Sequence, residues 1–236
     1  MTHHFGVLIP STNTTVEAEL ARLPSGYQAH FARLLTSTPG QPFSPSRDED
    51  IDYQSKLLGT AKVAMVLLMQ TSASLFAEDY DQTVSLRMSA AANGVPATTS
   101  ARAVGRALRA LGVHRIGLVS PYSEQVNVRA RHYFAKKHGL DIAAVEGFAA
   151  TDSYLIGTLG PENAREAFAR IDRPEIDAYM VPGANFPTMA SIAAWEREFN
   201  KPVVTSTQAA LWAMARELGG DPISGYGRLL EQMPAD

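Results

Sequence analysis

The feature that most constrains this chain is a set of three blocks that occurs twice in the same order. "FGVLIPS" (5–11) matches "IGLVSPY" (116–122), and "VAMVLLMQTSAS" (63–74) matches "IDAYMVPGANFP" (176–187). The third pair is "GVPATTSARAVGRALRALG" (94–112) with "NKPVVTSTQAALWAMARELG" (200–219), in which Pro96 meets Pro202 and Ser100 meets Ser206. Any two α/β units can share one block by chance. Three matches in register indicate an internal duplication instead. The second pair sets Gln70 opposite Gly183.

Each half alternates strands with helices. The apolar runs "FGVLIP", "KVAMVLLMQ", "RIGLVSP" and "IDAYMVPG" read as buried strands, joined by "ARLLTST", "VPATTS", "DIAAVEGF" and "KPVVTS". "STNTTVEAELARL" has the polar start of a helix, "ARAVGRALRALG" stops at Gly112, and "EQVNVRARHYFAKKHG" ends at Gly139. "DEDIDYQSKLLGTA", "PENAREAFARI", "TMASIAAWEREF" and "TQAALWAMARELGG" complete the helices, and "TSTPGQPFSPSRDED" is the strongest loop signal. The alternation predicts an α/β fold with parallel sheets covered by helices on both faces. Ligands of open α/β sheets bind beyond the carboxyl ends of the strands. Two facing halves would therefore close a cleft lined by 10–14, 70–74, 120–123, 183–188 and 205–208.

Composition removes several classes of function. The chain has 236 residues, a formal charge of −3 and no cysteine. Disulfides, thiolate nucleophiles and zinc–thiolate sites are excluded. The six histidines lack an HExxH-type spacing, so no metal is expected, and they read as surface or packing residues. No basic stripe marks a nucleic-acid binder, and no apolar run suits a signal peptide or a membrane span. A soluble, cytoplasmic protein is the default. GxGxxG after the first strand, GxxxxGK[ST] and GxSxG are all missing, so neither a dinucleotide nor any other cofactor is expected.

The expected cleft carries neutral hydrogen-bonding groups: Asn13, Thr14, Thr71, Ser72, Tyr122, Asn185, Thr205, Ser206 and Gln208. Several stand where a strand ends and a helix begins, where outward N–H groups favour an anion. Hydroxyls and amides can hold a small carboxylate or a developing oxyanion without an arginine. Each residue also has a plainer role, because Ser, Thr and Asn at helix starts commonly act as caps worth about 1 kcal/mol. Tyr122 could simply cover the core edge. Glu78, Asp79 and Asp81 read first as a solvated helix start, with a general base as the lesser alternative.

The motifs "GVLIPSTNTTVEAEL", "QTSAS", "VSPYSEQVN", "GANFPT" and "KPVVTSTQAALW", taken in order along the whole chain, resemble one family. It is the maleate cis-trans isomerase and arylmalonate decarboxylase branch of the aspartate/glutamate racemase superfamily. The resemblance implies two pseudo-symmetric Rossmann-like domains with the active site between them. It also implies a C-terminal segment that crosses back, dividing the chain into 1–98 plus about 208–236 and 99–207. Superfamily relatives are often dimers or larger, so a homo-oligomer is an expectation. By resemblance, Asn13 falls on a carboxylate-binding Asn, Thr71, Ser72 and Tyr122 on donors to an oxyanion or carboxylate, and Ser206 on the serine of a final motif. Asn185 joins them as a substrate-binding candidate.

The chain departs from the family at its two thiols. By resemblance, the first catalytic cysteine of the racemases and maleate isomerases falls on Gln70, and the second, which is the one that arylmalonate decarboxylase keeps, falls on Gly183. A thiolate can add to an alkene or move a proton near neutral pH. An amide can do neither, and glycine offers only backbone. The usual two-cysteine chemistry is therefore not expected. Gln70 is larger than cysteine and Gly183 is smaller, so Gln70 is expected to reach across toward the second position. What remains is either an enzyme with altered proton transfer or a silent protein that binds a small dicarboxylate.

Overall fold

The computed structural model describes residues 2–36 and 44–235. The first half contains β1 (His3–Pro10), α1 (Val16–Leu20), β2 (Tyr27–Leu34), α2 (Asp48–Thr60) and β3 (Val66–Leu68). A 3₁₀ turn (Thr71–Leu75), α3 (Tyr80–Ala91), β4 (Ala97–Thr99) and α4 (Ser100–Ala110) follow. The second half runs β5 (Arg115–Ser120), α5 (Glu124–His138), β6 (Asp141–Gly147), α6 (Ser153–Ile156) and α7 (Pro161–Ile171). It continues with β7 (Ala178–Val181), a 3₁₀ turn (Met189–Ser191), α8 (Ile192–Phe199), β8 (Val203–Thr205), α9 (Ser206–Leu218) and α10 (Arg228–Gln232).

Each half holds a four-stranded parallel sheet, in the order β2-β1-β3-β4 and β6-β5-β7-β8. The same order appears twice, as the duplicated blocks predict. Register makes the equivalence explicit. Leu68 pairs with Thr99 and Val181 with Thr205, and two residues beyond each come Gln70 and Gly183. One boundary differs from expectation. The second strand, expected at "ARLLTST" (32–38), runs instead over Tyr27–Leu34, aligned with all of β1 from His3 to Pro10. It is an edge strand, so Gln28, His30 and Arg33 interrupt the apolar signal that marks the central strands. The expected loop "TSTPGQPFSPSRDED" lies partly outside the described residues.

Central strands are buried on both faces, which explains their unbroken apolar runs. Val7, Leu8, Ile9, Val66 and Leu68 are fully enclosed, as are Leu118, Val119 and Met180 in the second half. One hydrophobic cluster runs through both halves. A smaller one, around Leu8, Ile51, Leu58, Val66, Leu68 and Met88, fills the other face of the first sheet. The halves meet where α4 packs on α9. Helix α9 is buried at every position from Ser206 to Ala215, so it carries no polar stripe. The C-terminal residues touch both halves. Tyr27 donates to the Asp221 carbonyl and Tyr226 to the Arg22 carbonyl, while Glu196 accepts from the Arg228 N–H.

Helix α4 reaches α5 through Gly105. A Cβ there would lie 2.2 Å from the His138 ring. The His138 ring is tucked against Tyr133 and Phe134, with a buried Nε2 that has no partner among the described residues. Burial pushes its pKa down from 6.5 to about 4, partly offset by Asp81. Between those values the unfolded chain binds a proton at His138 that the folded chain refuses, so acid favours unfolding. Urea unfolding at stepped pH should show wild type losing stability from pH 6.5 toward 4 more steeply than a His138→Gln variant. Parallel curves for the two proteins would contradict this burial.

Candidate functional site

A cavity of about 30 Å³ lies at the tips of the central strands, lined by Pro10, Asn13, Met69, Gln70, Thr71, Ser72, Tyr122, Gly183, Ala184 and Asn185. Thr36, Ser44, Ser153 and Ile156 complete its wall. The space suits a water or two rather than a bound carboxylate. Most of the expected residues converge here. Five wall residues lie outside the expected segments: Met69 precedes Gln70, Thr36 and Ser44 follow β2, and Ser153 and Ile156 follow β6. The last four come to the site through tertiary packing, and no local signal in the sequence marks them. Residues 205–208 sit behind the wall instead of in it.

Its centre is the Thr71 hydroxyl. It lies 2.8 Å from Ser100 Oγ and 2.9 Å from Ser206 Oγ, the first residues of α4 and α9. Ser206 Oγ also accepts the Gly183 N–H at 3.0 Å. Thr99 and Thr205 cap the two helices by accepting from the Arg102 and Gln208 N–H groups. Gln208 is consumed structurally, since its amide bonds the Thr205 N–H and the Tyr226 carbonyl.

Tyr122 points its hydroxyl at the side chains of Thr71 and Ser72. Burial pushes its phenol well above the ordinary value of 10, and these two hydroxyls offset only part of that rise. It is therefore a neutral donor at physiological pH. Among the described residues that line the cavity, none carries a charge.

Asn13 has two faces. Its Oδ1 accepts the Thr15 and Val16 N–H groups at 3.0 and 2.9 Å, turning the chain into α1. Its Nδ2 is buried and has no partner among the described residues. A buried amide N–H left unmade costs about 1–3 kcal/mol, which a ligand oxygen would recover. Asn185 spends its amide on the protein: Oδ1 accepts the Thr14 N–H at 2.8 Å and Nδ2 donates to the Ser153 carbonyl at 2.6 Å.

Gln70 does not reach toward Gly183. Its Nε2 donates to the Ser44 carbonyl at 3.0 Å and its Oε1 accepts the Ser46 N–H at 3.1 Å. The space facing Gly183 is taken by Pro121 and the Tyr122 hydroxyl, which would lie 2.9 and 3.3 Å from an added Cβ. Asp81 also differs from expectation. It accepts from Ser74 at 2.5 Å, Thr99 at 2.6 Å and Tyr133, bracing the 3₁₀ turn of the site against α5. These partners are 7, 18 and 52 residues away, a combination a solvated helix start does not suggest.

A larger cavity of about 550 Å³ lies on the far side of the 187–191 loop. The Glu19 carboxylate there accepts the Thr188 and Met189 N–H groups at 2.7 and 2.9 Å, and burial raises its pKa. That carboxylate holds the loop. The smaller cavity is the one on which the duplicated strand tips converge. Among the described residues no His, Asp and Glu cluster could hold a metal ion, and no helix is long and apolar enough to cross a membrane.

The family model for arylmalonate decarboxylase matches residues 5–230. Arylmalonate decarboxylase of Bordetella bronchiseptica is 30% identical over 240 residues, 96% of each chain. A maleate isomerase variant of Pseudomonas putida S16, solved with maleate, has a TM-score of 0.86 at 22% identity over 98% of both chains. A Nocardia farcinica maleate cis-trans isomerase variant with a covalently bound succinylcysteine intermediate has a TM-score of 0.84 at 23% identity, over 98% of this chain and 99% of that one. At these identities the two structures speak to the fold, and they share its two-domain α/β design.

Gly183 has φ +96°, a conformation that strains any side chain. Gly183→Ala should therefore lower stability by about 1–3 kcal/mol in urea unfolding. An unchanged midpoint would show that the 183 backbone is not held in this conformation.

Proposed function

This chain belongs to the arylmalonate decarboxylase family, and on that premise we propose that it binds a small carboxylate or dicarboxylate at the shared strand tips and acts on it without a thiol. The observation that carries the reading is the Asn13 amide: it lines the cavity with a buried N–H that lacks a partner among the described residues. Thr71, Ser72 and Tyr122 supply neutral donors around it, and Ser206 orients Thr71 from behind. In this reading Gln70 stands where the maleate isomerases have their first catalytic cysteine, and Gly183 where they and arylmalonate decarboxylase have the second. The division into 1–98 plus about 208–236 and 99–207 belongs to the same proposal. It is supported by the repeated sheet order.

The chemistry follows from what the residues can do. A succinylcysteine adduct, as in the Nocardia relative, needs a cysteine, and this chain has none. An enediolate route needs only stabilised charge and a proton. For a malonate-type substrate, the bond from the α-carbon to one carboxylate breaks and CO₂ leaves. The electron pair spreads over the remaining carboxylate as an enediolate. Donors aimed at that oxyanion lower the barrier most when they are fixed before charge develops. Asn13, Ser72 and Tyr122 are such donors. The α-carbon then takes one proton from water or from the Tyr122 hydroxyl, which water reprotonates.

The missing thiols favour a second reading, in which the same site binds a dicarboxylate and does no chemistry. Incubation in deuterium oxide with phenylmalonate and with maleate separates the two. The enzymatic reading expects solvent deuterium at a substrate carbon, and a rate about a hundredfold or more lower for Tyr122→Phe, the size of one oxyanion donor. Saturable binding without deuterium uptake would overturn catalysis and leave the binding protein. Absence of binding by every acid would overturn both.

A further inference from the structure

We propose that Glu19 is a positioning residue: its carboxylate ties α1 of the first half to the 185–189 run of the second, and so fixes where the Asn13 amide stands relative to Gly183. The proposal rests on the reading of the strand-tip cavity as a carboxylate site. Thr15 and Glu19 are four residues apart, so they lie on one face of the short helix α1. That face meets the second half. The Thr15 hydroxyl donates to the Asn185 carbonyl at 2.8 Å, and Glu19 Oε1 accepts the Thr188 and Met189 N–H groups at 2.7 and 2.9 Å. The Thr14 N–H adds a bond to Asn185 Oδ1 at 2.8 Å. Each of these bonds spans 169 to 171 residues, so each crosses from one half to the other.

Both ends of the tie continue into the site. Asn13 Oδ1 is held by the Thr15 and Val16 N–H groups, so the direction of its Nδ2 follows how α1 lies. In the second half the Gly183 carbonyl accepts the Phe186 N–H at 2.9 Å, and the Gly183 N–H donates to Ser206. Thr188 and Met189 open a 3₁₀ turn, whose first N–H groups have no partner within it. One carboxylate oxygen meets both of them, which an apolar side chain at position 19 could not do. Glu19 also faces the start of α9. Thr207, next to Ser206, lies close enough to lower the pKa that burial raises, although neither Thr207 Oγ1 nor Glu19 Oε2 completes a hydrogen bond among the described residues. The carboxylate therefore stands where α1, α9 and the 187–191 loop meet, and it acts on a ligand only through Asn13.

The test reads hydrogen exchange at single amides and ligand affinity in the full chain. Glu19→Ala removes the acceptor, whereas Glu19→Gln keeps a carbonyl oxygen for the same two N–H groups. In Glu19→Ala the Met189 amide should exchange at least about fivefold faster than in wild type, the size of one net hydrogen bond. The Val16 amide, bonded to Asn13 Oδ1, should also exchange faster. Phenylmalonate, followed by calorimetry, should bind Glu19→Ala at least about fivefold more weakly, and Glu19→Gln should return all three readings to within about twofold of wild type. The Met69 amide, bonded to the Leu8 carbonyl, should be unchanged in both variants and reports an intact sheet. Unchanged Met189 exchange in Glu19→Ala overturns the tie. Faster Met189 exchange with unchanged Val16 exchange and unchanged affinity overturns the positioning role. A Glu19→Gln variant that matches Glu19→Ala throughout overturns the acceptor role of Oε1. Faster exchange at Met189 and Val16, with neither phenylmalonate nor maleate bound by any form, supports the positioning of Asn13 and overturns the carboxylate reading.

Discussion

The structure turns on one hydroxyl. Thr71 lies between Ser100 and Ser206, the first residues of the two helices that join the halves. Its single proton serves one of them, so it donates to one serine and accepts from the other. The bonds are buried, where an unmade one would cost about 1–3 kcal/mol. The arrangement fixes the strand tips of both halves relative to each other. Tyr122 closes on Thr71 from β5, and the Gly183 N–H reaches Ser206 from β7. Packing of α4 on α9 supplies the bulk of the joint, and the hydroxyls set its register.

Much of this was legible in the sequence because the duplication carries three kinds of signal at once. Apolar runs locate the central strands, Thr-Ser pairs mark where strands turn into helices, and the spacing between blocks repeats. The pairing of Ser100 with Ser206 in the sequence becomes a physical meeting at Thr71. The edge strand was harder, because only one of its neighbours is a strand and polar residues interrupt its pattern. Ser44 and Ser153 were hidden for a different reason: their backbone bonds to Gln70 and Asn185 span 26 and 32 residues. Asp81 shows the same effect, since an acidic helix start says nothing of a tyrosine 52 residues away.

Gln70 and Gly183 are unlike each other, and the structure gives each a separate reason. Gln70 is used for the two functional groups of its amide, which hold backbone. Gly183 is used for its lack of a side chain: φ +96° and the nearby Pro121 and Tyr122 leave glycine as the residue that fits. The two positions are therefore not halves of one volume exchange. The cavity between them is hydroxyl-rich, and among the described residues that line it Tyr122 is the one ionisable side chain, a phenol that burial makes still less acidic. Such a wall can bind an anion and steady an oxyanion. Among the described residues it offers no strong base, which is why the proposed reaction takes its proton from water or the Tyr122 phenol.

The central claim is that a carboxylate is held between the halves by neutral donors. A crystal structure of the chain with phenylmalonate tests it most directly. The account predicts a carboxylate oxygen within hydrogen-bond distance of Asn13 Nδ2 and the Tyr122 hydroxyl, with Thr71 still between its two serines. Phenylmalonate bound in the larger cavity beside Glu19, or bound at the strand tips with Asn13 Nδ2 still unpartnered, would contradict it.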